Sequence, residues 1–173
     1  MSEPTAMRSG EPPKWTGLPT LGARLILGVT FVGMGISKIL DPIKFLKAIK
    51  QYEILPLDPP ILINSTAVVL PWLEVVIGLL LIAGLARRGG ATISLVMLVV
   101  FNIGILKLGL DYQAENPEIA FTKIVLDCGC GAGPVNVAWK LVQNLGLIIL
   151  SAGLMISRSH RFSLVRGGPP PGG

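Results

Sequence analysis

Cys128 and Cys130 are the only cysteines among 173 residues, and they stand one glycine apart in the run DCGCGAGP that begins at Asp127. Two thiols this close have three chemistries open to them: dithiol–disulfide exchange, soft-metal binding, or service as an inert structural pair. A bridge between residues i and i+2 closes a small ring, far from the separation and torsion that a disulfide prefers. A strained, exposed bridge has a raised reduction potential and exchanges readily. Gly129 and Gly131 allow backbone angles that other residues resist. Two thiolates alone leave a zinc site incomplete, and no metal is assigned. Nearby Lys123 favours a thiolate, whereas Asp127 opposes it. Exchange is the favoured chemistry, with Cys128 and Cys130 as the catalytic residues of a thiol–disulfide oxidoreductase component.

The elements that must position this pair are apolar. The chain is 51% hydrophobic and only 14% charged, with a mean hydropathy of +0.67; soluble domains carry about a quarter charged residues. Four apolar runs, Leu18–Leu40, Ile61–Leu85, Ala91–Leu110 and Val137–Ile156, each reach 20 residues or more. A helix needs about 20 residues to cross about 30 Å of hydrocarbon, and lipid requires its backbone groups to pair within the segment. The fold class is therefore all-α: a bundle of four transmembrane helices, with the bilayer as its surroundings. Residues 1–17 read as a flexible cytoplasmic tail, 18–157 as the membrane domain, and 158–173 as a basic, then Gly/Pro-rich tail. The first span is too long for a signal-peptide core and lacks a small-x-small cleavage site, so it reads as a retained anchor.

The sequence pI near 9.5 follows from topology, with no nucleic acid required. With both termini cytoplasmic, the inner side holds every arginine and Lys14 against Glu3 and Glu11, a net +6. The outer side holds seven lysines and seven carboxylates. The positive-inside rule selects this N-in, C-in arrangement. It places the Cys loop outside, in the bacterial periplasm, where thiols meet oxidants. His160 lies in the basic tail and receives no role.

Inside the spans, Arg24, Gly28, Phe31, Gly35 and Lys38 fall on one helical stripe, whose glycines permit close packing and whose charges should face the bundle. Glu74 lies near the middle of the second span, on one face with Pro71 and Gly78. An ionised carboxylate there costs at least about 2.5 kcal/mol, and Arg24 is its expected partner. Arg24, Lys38 and Glu74 thus form a candidate polar intramembrane site, either a structural ion pair or a proton or quinone site. Asp41-Pro42 reads as the start of a short interfacial helix, with Ile43, Leu46 and Ile49 on one face and Lys44, Lys47 and Lys50 on another. It serves as a connector or as a docking surface for a partner. Asn102, Gln143 and Asn144 are expected to tie helices together, and Met34, Met97 and Met155 to fill the core.

Three segments in order, ARLILGVTFVGMGISKILDPIKFLKAIKQYEILP, LPWLEVVIGLLLIAGL and DCGCGAGP, resemble the DoxX-like superfamily of four-helix membrane proteins. Within it, the Cys-Gly-Cys-Gly run is similar to the methylamine-utilisation protein MauE family. The resemblance spans about Leu18 to Ile156; Ala132 stands where members commonly carry an aromatic, and the loop from Asp111 to Asp127 is long. It implies a multi-pass protein of the bacterial inner membrane that supports maturation of disulfide-bearing periplasmic proteins in methylamine metabolism. The implied partners are a thioredoxin-like periplasmic protein and a periplasmic client enzyme. The superfamily also implies an alternative, a non-catalytic subunit or assembly factor of a quinone-linked redox complex, with quinone as the candidate cofactor. On the charge split, a membrane-impermeant maleimide applied to reduced, intact cells should label Cys128 or Cys130, and labelling only after lysis would reverse the orientation.

Overall fold

The computed structural model of the protein describes residues 17–56, 58–85, 87–129 and 133–156. The two expected tails lie outside the described residues, except Gly17, which opens the first helix. The architecture is all-α, in the order α1 (Gly17–Leu40), α2 (Pro42–Tyr52), α3 (Pro60–Ala83), α4 (Arg87–Glu115) and α5 (Val137–Ile156). A 3-10 turn, Phe121–Lys123, and two three-residue strands, β1 (Val125–Asp127) and β2 (Pro134–Asn136), fill the α4–α5 connection.

Helices α1, α3, α4 and α5 are long and apolar enough to cross a membrane, and about a third of each span is buried within the protein. The remainder is greasy: Val29, Val68, Trp72, Ile103, Val142 and Ile149 are all exposed, a surface suited to hydrocarbon. The third span outruns its expected end at Leu110 and continues to Glu115. There Asn116 donates from its side chain to the Tyr112 carbonyl at 3.0 Å, closing the helix. Inside the bundle, Leu27, Phe31, Ile77, Leu81, Leu98, Leu147 and Leu154 make the central core.

The most extensive helix contact is between α1 and α3, and glycines set it. A Cβ on Gly78 would lie 2.7 Å from the Gly28 carbonyl oxygen and 2.9 Å from the Val32 nitrogen. One on Gly35 would lie 2.7 Å from the Pro71 carbonyl oxygen. The two backbones therefore touch, which is how helices gain van der Waals energy in a solvent as apolar as themselves. The expected stripe is present, since Arg24, Gly28, Phe31, Gly35 and Lys38 are all buried.

Two sequence expectations change here. Arg24 does not reach Glu74: its Nε donates to the Leu81 carbonyl at 2.9 Å and its Nη2 to the Ile82 carbonyl at 3.1 Å. Leu81 lies seven residues beyond Glu74, about 10 Å along the helix. The guanidinium serves the end of α3, where carbonyls lack intrahelical donors and where the helix dipole favours a cation. Gly84 follows in the left-handed region, at φ 76°. The second change concerns amides. Gln143 accepts from Lys140 of its own helix at 3.1 Å, and the Oδ1 atoms of Asn102 and Asn144 have no hydrogen-bond partner among the described residues. Among the described residues, none of the three amides makes the expected tie to another helix.

Replacing Gly78 by Ala should cost about 1–3 kcal/mol, because the new methyl meets backbone that cannot move aside. At Gly33 a Cβ meets nothing within 4 Å, so Gly33→Ala should stay within about 0.5 kcal/mol or gain slightly from helix propensity. Unfolding of both variants in mild detergent checks the contrast; equal losses would remove the close-contact account.

Candidate functional site

The Cys loop is the tip of a hairpin. β1 and β2 pair antiparallel, with Val125 opposite Asn136, Leu126 opposite Val135 and Asp127 opposite Pro134. Asn136 binds the hairpin to its surroundings from both sides of its amide. Its Nδ2 donates to the Thr122 carbonyl at 2.6 Å, and its Oδ1 accepts from the Trp139 nitrogen at 3.0 Å, capping α5. The hairpin was missed in the sequence because three-residue strands are too short to show a period of two; the available signal was Val-Leu-Asp and Pro-Val-Asn flanking a glycine-rich turn.

Helix α2 is the seat of this hairpin. Asp41 accepts from the Lys44 nitrogen at 3.1 Å and Pro42 occupies the first turn, as Asp41-Pro42 implied. The buried face keeps Ile49 of the expected set, with Leu46 half-buried, but is rotated away from Ile43. Ile43 is exposed, and Phe45, Ala48, Ile49 and Tyr52 are buried. Their spacing fits an i, i+3, i+4, i+7 stripe, and it turns Lys44 toward the hairpin. Three positions one turn apart then meet the loop. Lys44 Nζ pairs with Asp127 at 3.0 Å. Ala48 packs against Gly129, where φ is +62° and a side chain would collide with the Ala48 methyl. The Tyr52 hydroxyl donates to the Cys128 carbonyl. Asp127 also accepts from the Gly129 nitrogen at 3.1 Å, so one carboxylate holds both the helix and the turn. The Lys44–Asp127 hydrogen bond and the charge of Asp127 hold the Lys44 amine above the ordinary lysine range. The pair is exposed, and such pairs contribute about 1 kcal/mol or less.

Cys128 is buried, with 4% of its surface exposed. Cys130 lies outside the described residues. Lys123 is exposed on the neighbouring turn; the lysines that share a cavity with Cys128 are Lys38 and Lys140. That cavity, of about 10 Å³, is also lined by Met34, Tyr52, Phe101 and Asn144. It has the size of about one water molecule.

Beneath the cavity lies the intramembrane ion pair, and its members are Lys38 and Glu74. Both are buried. The Lys38 ammonium also lies 4.8 Å from the centre of the Phe45 ring and 4.2 Å from that of Phe101, so two aromatic faces help to hold the cation in place of water. Of the three polar residues expected together, the structure joins Lys38 to Glu74 and places Arg24 elsewhere. Lys38 brings the pair to the floor of the Cys loop. Tyr52 and Lys140 went unnoticed in the sequence. Tyr52 follows Ala48 and Lys44 at helical spacing, a signal that was available; Lys140 had none beyond lying in the first turn after the loop.

An ion pair in this setting should show strong coupling. Lys38→Met and Glu74→Gln should each destabilise the protein by about 3 kcal/mol or more, because each leaves a buried charge uncompensated. The double variant should recover about 1–3 kcal/mol of the summed loss. Detergent-solubilised unfolding measures this, and additive losses would exclude the pairing.

No curated protein and no solved structure matches this chain. A family profile does: that described as "Methylamine utilisation protein MauE" aligns with residues 16–157. The match runs from the start of α1 to the end of α5, and so includes the ion pair, the α2 seat and the whole Cys hairpin. With four membrane-spanning helices and a profile match over most of its length, the chain belongs to the MauE family and is an integral membrane protein.

Proposed function

We propose that this protein is the membrane component of a thiol–disulfide exchange system, with Cys128 and Cys130 cycling between dithiol and disulfide. The observation that carries the reading is the seating of the Cys hairpin. Lys44, Ala48 and Tyr52 hold Asp127, Gly129 and Cys128 at one end of the bundle, beside a cavity that two lysines line. Cationic surroundings favour the thiolate, the form that reacts. A fixed backbone on one side of a reactive pair favours exchange through the other.

The protein resides in the bacterial inner membrane with both termini cytoplasmic and the Cys loop periplasmic. The charge split supports this orientation, and the even number of spans puts Gly17 and Ile156 at the same end. Its partner is a thioredoxin-like periplasmic protein with two thiols, and its client is a periplasmic enzyme that matures through disulfides. The family's printed description concerns methylamine utilisation, which favours a client in amine oxidation.

A second reading has its own observation. Burial of Cys128 under α2 also suits a structural turn within a non-catalytic subunit or assembly factor, such as one in a quinone-linked complex. Replacing both cysteines by Ser separates the two: loss of client maturation with the protein still in the membrane favours exchange, and full retention favours the scaffold. Exchange passes through a mixed disulfide that the resolving cysteine releases. One of the variants Cys128→Ala and Cys130→Ala should therefore accumulate a reducible covalent complex with the partner in cells. If neither does, and the pair keeps one redox state with or without oxidant, the exchange function is wrong.

A further inference from the structure

Helix α2 presents a second face, on the side away from the hairpin. Its residues turn by about 100° each. Lys44, Ala48 and Tyr52 cover the side that seats the loop, and Phe45 and Ile49 the side that enters the core. Ile43, Lys47 and Lys50 follow one another at intervals of four and three, so they form one stripe on the side that remains. All three are exposed, Ile43 at 67%. Neither Lys47 nor Lys50 makes an ion pair among the described residues, whereas Lys44 and Lys107 both do. The carboxylates at the two ends of α2 are bonded elsewhere: Asp41 accepts from the Lys44 nitrogen, and Glu53 from Lys107.

The surroundings of this stripe are those of a bilayer boundary. Helix α2 begins two residues after the last residue of a membrane-spanning helix. That residue, Leu40, is 79% exposed, and Ile61, in the first turn of α3, is 67% exposed. Apolar side chains left bare at the ends of two spans put hydrocarbon beside Ile43. Trp139 is exposed in the first turn of α5, at the same end of the bundle, and tryptophan collects at headgroup depth. Two lysines at that depth lay their stems along apolar surface and raise their ammonium groups to the level of the lipid phosphates.

We propose that Ile43, Lys47 and Lys50 bind an anionic phospholipid, with the two ammonium groups on its headgroup and Ile43, beside Leu40, on its acyl chains. A lipid fits better than an acidic protein surface because the stripe is part apolar and continues into the bare ends of the spans. An anionic lipid fits better than a zwitterionic one. In the latter the phosphate is already balanced by a cation of its own, whereas an anionic headgroup leaves its charge to the two lysines. A lipid held there lies against α2 from the side opposite the hairpin and presses the helix onto the bundle. The site uses neither cysteine, so it stands apart from the exchange function.

The test titrates full-length protein in mild detergent with phosphatidylglycerol, or with phosphatidylcholine of the same acyl chains, and counts bound lipid by native mass spectrometry. Phosphatidylglycerol should bind at least about tenfold more tightly. Lys47→Gln and Lys50→Gln should each weaken it by about fivefold, and the double variant should lose the preference. Glutamine keeps the helix propensity of lysine, so these variants should fold. Lys47→Arg with Lys50→Arg should retain the preference. Lys123→Gln removes an exposed charge at the same end but off the stripe, and should change the affinity by less than about twofold. Equal affinity of the unaltered protein for the two lipids would overturn the site, as would an undiminished preference in the double variant. A loss in Lys123→Gln as large as in Lys47→Gln would also overturn it, because diffuse charge would then explain the binding. If the double variant keeps its lipid preference but no longer forms the cellular complex described above, the face belongs to a protein partner and the lipid site is wrong. Absence of that complex from the protein with both lysines in place bears on the exchange function alone.

Discussion

The Lys38–Glu74 ion pair is the interaction on which this arrangement depends. In hydrocarbon a charge has no water to retreat to, and an uncompensated one costs several kcal/mol. The pair is tolerable only where α1 and α3 bring the two side chains together, and Gly28, Gly35 and Gly78 allow that approach by presenting bare backbone. The ammonium then needs its remaining surface covered. Phe45 and Phe101 supply it, which fixes α2 and α4 to the same point. Four elements thus converge on one cation.

That convergence orients the Cys hairpin. With Phe45 turned inward, Ala48 and Tyr52 follow along one side of α2, and Lys44 comes to the edge beside Asp127. The helix has one face in the core and an adjoining row under the loop. The segment seated on that row is the Cys hairpin of the same chain. Of the contacts described above between α2 and the hairpin, only the Lys44–Asp127 pair is exposed to salt and weak. The Tyr52 hydrogen bond and the Gly129 contact are buried and short in reach, so they favour a single seated position.

What could be read in the sequence was what periodicity and cost make explicit. Four apolar runs gave the spans, and the expense of Glu74 marked it as paired. Its partner was misread because the antiparallel register of α1 and α3 is not carried by either helix alone. Gly28 opposite Gly78 aligns Gly35 with Pro71, and that offset gives Glu74 to Lys38 and sends Arg24 to the carbonyls of Leu81 and Ile82. Two glycines were visible in the stripe, and Gly78 and Pro71 on the second span, but the offset between the two helices was not. The face of α2 was only partly legible for a related reason: Ile49 is buried but Ile43 is not. Ile43, Leu46 and Ile49 are the obvious apolar set, yet the winning face uses Phe45 and Tyr52, whose rings reach further into the bundle than an isoleucine does.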